Sequence, residues 1–420
     1  MNLPNTKSEN KILILSSVWV EPNSSAAGSR MLQLIEAFQT QNWHISYAST
    51  SAKSEFAFDL SILTIKSHTI ELNNDNFNDF LLKINPNIII FDRFIIEEQF
   101  GWRVAEILPN SLRILDTEDL HCLRKTREIA IKQKKEFSKN DLIKAAIAKR
   151  EIASILRCDI SLIISLYEIK LLTKLFKVDS KLLLYVPFLL DEINPNTIKK
   201  LPTFKDRENI YFIGNFLHQP NFDTVLYLKK EIWPTLSKKL PHVSLHIYGA
   251  YTSQKVNQLH NKKERFIIHG KINNANNAIQ NSRICLAPIR FGAGLKGKFI
   301  EAMQNGTPSI TTPIGAEAMY GDLDWCGRIA TNSNDIINET VALYTTEILW
   351  KKAQQNGIEI LNRLYNKKKY SKLLIHKINE TQKNLEKHRM NNFFGALLHH
   401  HTLNSTKYLS KWIASKNTSN

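Results

Sequence analysis

The chain has 420 residues, 43% of them hydrophobic and 23% charged, with a net charge of +17 at pH 7. At ~150 residues per domain, this length predicts two domains plus an appendage, and the composition excludes a disordered or fibrous chain. The positive charge favours anionic partners such as nucleotide diphosphates or an anionic membrane surface. Zinc-finger and helix-turn-helix patterns are absent, which argues against nucleic acid as a partner.

The four cysteines, Cys122, Cys158, Cys285 and Cys326, lie far apart with no CxxC. This argues against a disulfide framework or a zinc site and suits the cytoplasm. The apolar run 12–18 is too short to span a membrane and carries no cleavage pattern. No segment approaches the ~18 consecutive apolar residues of a transmembrane helix. The expectation is a cytoplasmic protein, with peripheral attachment to the inner face of a membrane as a further option.

Residues 1–10 are polar and read as frayed. Residues 12–18 (ILILSSV) read as a first buried strand. The loop WVEPNSSAAGSR follows, with Gly28 just ahead of a helix over about 29–40, where a phosphate or sugar can approach backbone. Arg30 in that helix reads as a solvated residue rather than an anion partner. Strand-like runs recur at 43–49, 60–65, 87–91 and 113–115, separated by helical stretches such as 77–83 and 97–108. Such alternation predicts a parallel sheet covered on both faces, with ligands off the carboxyl ends of its strands. Polar clusters stand at two such ends: Asp92-Arg93 after NIIIF, and Asp116-Thr117-Glu118-Asp119-Leu120-His121 after RIL. Residues 122–157 are charge-rich and read as a solvated helical pair. Runs 159–165 and 181–186 complete a first domain over 1–190, and 191–208, rich in Pro, Asn and charge, reads as a linker.

The alternation restarts with NIYFIGNF, where Gly214 and Asn215 end a strand and His218 precedes a helix. Runs 243–248 and 265–269 continue the series. The most informative stretch is 282–313, SRICLAPIRFGAGLKGKFIEAMQNGTPSITTP. It reads as strand, glycine loop, helix, strand. Gly292, Gly294 and Gly297 leave backbone N–H groups unshielded at a helix N-terminus, a ready anion site. Lys296 and Lys298 add two ammonium groups. Glu301 lies on the helix face of Lys298, and its carboxylate can accept two hydrogen bonds from a vicinal diol. The set suits a nucleotide diphosphate. Gly292-x-Gly294-x-x-Gly297 with Glu317 about 20 residues on also matches a dinucleotide fingerprint. That fingerprint belongs in the first βα turn of its unit, whereas the strand at 209–214 opens this half.

The second domain is placed at 209–335 and a helical region at 336–420. Asp322-Leu323-Asp324 matches a DxD metal motif by letter and reads as a surface turn. Adjacent residues His399, His400 and His401 on a helix point in different directions, so no metal is expected there. The tail is basic and aromatic, with Phe393, Phe394, Leu397, Leu398, Tyr408 and Trp412 able to pack on the domains or meet a membrane.

The stretch GAGLKGKFIEAMQNGTPSITTPIGAE resembles the donor site of retaining glycosyltransferases of family GT4. Those enzymes have the GT-B fold: two Rossmann-like parallel-sheet domains face a central cleft, with C-terminal helices packing across them. In the wider family a first glutamate lies eight positions before the second; here that position is Ala293, as in a branch with G-[AS]-G-x-[KR]-x-K-x-x-E-A. The family's T-x-H-D motif aligns its aspartate on Asp119, which puts Glu118 at the histidine position and His121 two residues on. In place of the family's Arg and Lys after the first strand of the second domain, this chain has Asn215 to Asn221 with neither. The resemblance implies catalytic-side residues Glu118, Asp119 and His121. It implies donor contacts by Gly28, Gly214, Asn215, His218, Gly292, Gly294, Lys296, Lys298 and Glu301. The implied activity moves a sugar, with retention, from a nucleotide-sugar donor to a hydroxyl of a glycan or lipid-linked acceptor, as in cell-surface polysaccharide synthesis. Neither cofactor nor metal is implied. A nucleotide-sugar epimerase of the same fold, or an inactive donor-binding subunit, are the alternatives.

Overall fold

The computed structural model describes residues 10–272 and 274–400, together with 406, 408–410, 412–413 and 416. The chain forms two parallel sheets. The first contains β1 (Lys11–Ser16), β2 (His44–Ser49), β3 (Lys66–Thr69), β4 (Ile88–Asp92), β5 (Leu112–Asp116), β6 (Ile160–Ile163) and β7 (Leu183–Tyr185). Their order is β3-β2-β1-β4-β5-β6-β7. The second contains β8 (Glu208–Ile213), β9 (Leu245–Tyr248), β10 (Phe266–Gly270), β11 (Ser282–Ala287), β12 (Ser309–Thr311) and β13 (Gly327–Ile329). Their order is β10-β9-β8-β11-β12-β13.

The central strands are apolar throughout because both faces are covered. Leu13, Leu15, Ile89, Phe91 and Leu115 pack into one core layer. Ile12, Ile14, Ile88, Ile90 and Ile114 pack into the other. This is the two-residue alternation of a strand written within a continuous apolar run. In each sheet the first strand has neighbours on both sides, β1 between β2 and β4, β8 between β9 and β11. The chain therefore leaves in opposite directions at that point, which opens a crevice at the carboxyl ends of the strands.

Several elements differ from the sequence expectation. Residues 60–65 are not a strand. Leu60–Leu63 is a 3₁₀ turn capped by Asp59, whose side chain accepts from the Ser61 N–H, and Thr64 ends it in the left-handed conformation. The third strand is instead the polar KSHT of β3, an edge strand with no buried residue. The expected helical pair at 122–157 is three helices, His121–Lys132, Lys139–Lys144 and Ala146–Arg157, the second capped by Ser138. Between the domains, 191–208 includes a short helix, Pro195–Lys199, capped by Asn194.

The chain returns to the first domain after the second is built. Helices Ser333–Thr345 and Glu347–Leu364 contribute Ile336, Leu343 and Trp350 to the second core. At the crossing, Leu190 and Tyr365–Lys367 run side by side: the Leu190 N–H donates to the Tyr365 carbonyl at 2.8 Å, and the Lys367 N–H to the Leu190 carbonyl at 2.9 Å. Helix Lys367–Lys383 then packs Tyr370, Leu374, Ile375 and Ile378 into a core layer of the first domain.

Candidate active site

A cavity of about 570 Å³ lies between the carboxyl ends of the two sheets. On the second-domain side it is lined by Gly214, Asn215, His218, Gly292, Lys296, Lys298 and Glu301. Across from them stand Glu118, Asp119 and His121. Ten of the twelve residues expected from sequence thus meet in one space; the other two, Gly28 and Gly294, do not line it.

Lys298 and Glu301 lie on the helix Gly297–Gln304. The Lys298 ammonium donates to the Asn221 side-chain oxygen at 2.8 Å, and the Asn221 amide donates to the Asn215 carbonyl at 2.7 Å. Asn221 thereby ties the loop after β8 to the helix. The Lys296 ammonium donates to the Gly294 carbonyl at 2.8 Å. Burial lowers both lysines to about 8. Burial likewise raises Glu301 to about 7, with Lys298 opposing it. An arriving diphosphate favours the lysines' charged form, and a diol donating to Glu301 favours its ionised form.

The facing wall grows from the ends of β4 and β5. Asp92 and Asp116 are register partners. Asp92 accepts from Ser16 at 2.5 Å and pairs with Arg93 at 3.1 Å, while Asp116 pairs with Arg30 at 3.0 Å. Burial, then Asp116 and Asp92, push the Glu118 carboxyl up to about 8, so it keeps its proton at neutral pH. Glu118 and Arg93 both have positive φ, 60° and 74°; side-chain-bearing residues in that region carry strain of about 1–3 kcal/mol, and such strain concentrates at functional sites. Burial disfavours the charge on Asp119, but Arg124 and His121 outweigh it and hold the carboxyl well below its usual range. Arg124 grips Asp119 with two bonds, 2.8 and 3.2 Å. Burial lowers His121 to about 4 and His218 to about 3, so both rings are neutral near pH 7.

The other two expected donor residues do different work. The Gly28 N–H donates to Ser25 Oγ as part of a helix cap, and a Cβ there would stand 2.3 Å from the Glu21 carbonyl carbon. Its neighbours Ser25, Ala26 and Ala27 line the cavity instead. The Gly294 N–H is taken by Glu168 Oε1 of the first domain at 2.8 Å. Glu168 also accepts from the Leu120 N–H at 3.0 Å, and burial raises it to about 8.

The glycine loop is in fact the seam of the two domains. Arg127 donates to the Gly292 carbonyl at 2.8 Å and forms a two-bond ion pair with Glu317, 2.7 and 2.9 Å. Glu317, the acidic residue of the dinucleotide fingerprint, is therefore occupied. Ala293 packs within the first domain's core. On the other flank, Tyr251 donates to Glu21 at 2.8 Å, and Lys271 lies 3.4 Å above the Phe56 ring.

Sequence reasoning passed over Arg124 and Lys271, which line the cavity, and Glu168 and Arg127, which bind the glycine loop from across the seam. Arg124, one helical turn past Asp119-Leu120-His121, had a local signal. Arg30, expected in solvent, is buried against Asp116 and the Val186 and Pro187 carbonyls. Asp322, in a turn, and Asp324 are both exposed. His401 lies outside the described residues, as do residues 1–9.

Two Rossmann-like domains closed over a strand-end cleft define the GT-B class of fold. Residues 207–346 match the family model described as Glycosyl transferases group 1. No curated protein matches the chain in sequence. Among solved structures it is similar to a sucrose-phosphate synthase from Thermosynechococcus elongatus, with a TM-score of 0.65 and 16% identity, covering 88% of this chain and 98% of that one. It is similar to S. aureus TarM in complex with fondaparinux, α-GlcNAc-glycerol and UDP, at TM-score 0.66 and 11% identity over 88% of this chain and 100% of the other. It is also similar to Anabaena HepE in complex with UDP-glucose, at TM-score 0.63 and 12% identity over 89% and 100%. At these identities the likeness is one of fold.

Proposed function

We propose that the protein is a retaining glycosyltransferase of the GT4 kind, moving a sugar from a nucleoside diphosphate to a hydroxyl of a glycan or lipid-linked acceptor. The observation that carries this reading is Lys298 and Glu301 side by side on a buried helix, facing Glu118 across a cavity large enough for a nucleotide sugar. Lys298 and Lys296 take the diphosphate, and Glu301 takes the ribose diol. As the anomeric carbon–oxygen bond breaks, negative charge grows on the leaving phosphate beside the lysines, and such preorganised charge is usually the largest catalytic effect. The acceptor oxygen bonds the same carbon from the face the phosphate leaves. Its proton passes to the departing phosphate oxygen, so no side-chain base is needed. Glu118, keeping its proton near pH 7, donates a hydrogen bond to a sugar hydroxyl. The closed seam excludes water, whose attack would waste the donor. With two lysines on the diphosphate, the reaction is proposed to need no metal.

A thermal-shift panel of UDP-, GDP-, ADP- and dTDP-sugars with EDTA present tests this. UDP-sugars come first, since two of the similar structures hold UDP or UDP-glucose. One nucleotide should raise the melting temperature, and Glu301→Ala should remove the shift. A shift only from NAD would refute the donor assignment. Conversion of the donor to an isomeric sugar nucleotide without an acceptor would replace transfer with epimerisation.

A further inference from the structure

Residues 387–399 expose apolar side chains on a backbone that is firmly held. Met390, Phe393 and Phe394 are 76%, 70% and 67% exposed, and Trp412 is 56% exposed. Arg389 fastens the segment to the first domain through Asp159 at 2.8 Å, the Ser111 carbonyl at 2.8 Å and the Pro109 carbonyl. The Asn392 amide donates to the Leu156 carbonyl at 2.7 Å. Gly395 approaches that same carbonyl so closely that a Cβ would stand 2.3 Å from its oxygen. Helix Phe393–His399 therefore docks through its small and polar residues. These anchors fix its roll, and the roll turns the two phenylalanine rings outward.

The charge of the segment has one sign. From Lys387 to Asn420 there are five lysines and arginines and no Asp or Glu. In KYLSKWIASK the apolar residues Tyr408, Leu409, Trp412 and Ile413 recur one helical turn apart and are exposed, with lysines interleaved in the sequence. Aromatic rings combined with positive charge match the boundary between lipid headgroups and acyl chains, where the rings insert and the cations meet lipid phosphates. Among the described residues no helix is long and apolar enough to cross a membrane.

We propose that the exposed apolar residues Met390, Phe393 and Phe394, with Tyr408, Leu409, Trp412 and Ile413, dock this protein, through its first domain, on an anionic lipid surface. The helix beneath the segment, Ala146–Arg157, also reaches the cleft: Glu151 accepts the N–H groups of His121 and Cys122 at 2.9 and 2.8 Å. The lipid surface is thereby one helix away from the wall that carries Glu118 and Asp119. The docking stands whether or not the cleft transfers sugars.

Co-sedimentation of the full chain with vesicles tests it, using phosphatidylcholine alone and with about 30% phosphatidylglycerol. Wild-type protein should bind the anionic vesicles, bind the neutral ones weakly, and be released by salt. Phe393→Ser/Phe394→Ser and Trp412→Ser/Ile413→Ser should each weaken vesicle binding about tenfold or more. Their melting temperature and nucleotide-induced shift should stay as in the wild type, since these side chains are exposed. Absence of binding to anionic vesicles, or unchanged binding by both variants, overturns the proposal. So does a wild-type dimer that the substitutions turn into a monomer without any vesicle binding, which would assign the patch to a second copy of the chain.

Discussion

Gly297 opens the helix that carries Lys298 and Glu301, and it faces Ala26, where the first long helix of the other domain begins. A Cβ at 297 would lie 2.4 Å from the Ala26 Cβ, against ~3.5–4.0 Å for two carbons in contact. The overlap exceeds about 1 Å, and both atoms belong to rigid helix starts. Within the second domain alone, alanine at a helical position is better than glycine by up to about 1 kcal/mol. Gly297→Ala therefore leaves that domain intact and penalises only the closed seam, which must open by about 1 Å. A misplacement of that size costs about 10²-fold in rate, or about 2.7 kcal/mol of barrier. Initial rates at saturating donor should fall about a hundredfold, while calorimetric donor affinity changes less than about threefold. The melting temperature should hold or rise slightly. Adding Ala26→Gly removes the opposing methyl group and should restore most of the rate. Normal turnover in Gly297→Ala, or no rescue by Ala26→Gly, would show that the glycine does not serve domain approach.

Lys298→Ala removes a charged hydrogen-bond donor worth about 1.5–3 kcal/mol, so calorimetry should find the donor bound about ten- to a hundredfold more weakly. Unchanged affinity would sink the phosphate assignment. Glu168→Ala leaves the Gly294 and Leu120 N–H groups without their acceptor and should lower turnover, whereas Glu168→Gln, which keeps an acceptor oxygen in a site already held protonated near pH 7, should retain most of it. Equal losses in the two variants would count against that role. For donor binding, Glu301 must be ionised and Lys298 charged. kcat/KM should therefore rise through pH about 7 and fall above about 8, and a pH profile of Glu301→Gln should lack the acid limb. The raised Glu301 also binds its proton more tightly folded than unfolded, so its contribution to stability is present below its ordinary 4.5 and lost as pH rises through about 7.

The βα alternation and the glycine loop were legible because their signals are local: apolar runs of strand length, and glycine as punctuation. The misses share a different cause. Leu60 to Ile65 is as apolar as a strand, yet the Asp59 cap and the left-handed Thr64 wind it, while the real edge strand, KSHT, has no apolar face to recognise. Arg30 looked solvated because its partners, Asp116 and the Val186 carbonyl, are 86 and 156 residues away. Gly294 and Gly297 were legible as places where something approaches the backbone. What approaches is the first domain, through Glu168, Asp119 and Ala26, and no local pattern names a partner in another domain. The lysines and Glu301 were readable because their spacing on one helix is itself the geometry.

Helix Lys367–Lys383 has a consequence for how the chain is made. It supplies part of the first domain's core, and Gln382 even joins its side chain to Asn10 at 3.2 Å. On a ribosome the first domain therefore emerges without one of its own walls, and the whole second domain must be synthesised before that wall arrives. Until then the seat of Tyr370, Leu374 and Ile378 is bare apolar surface, the kind of transient exposure that invites aggregation or chaperone binding. The domain that begins first is finished last, and a chain cut short after residue 364 would leave it permanently open.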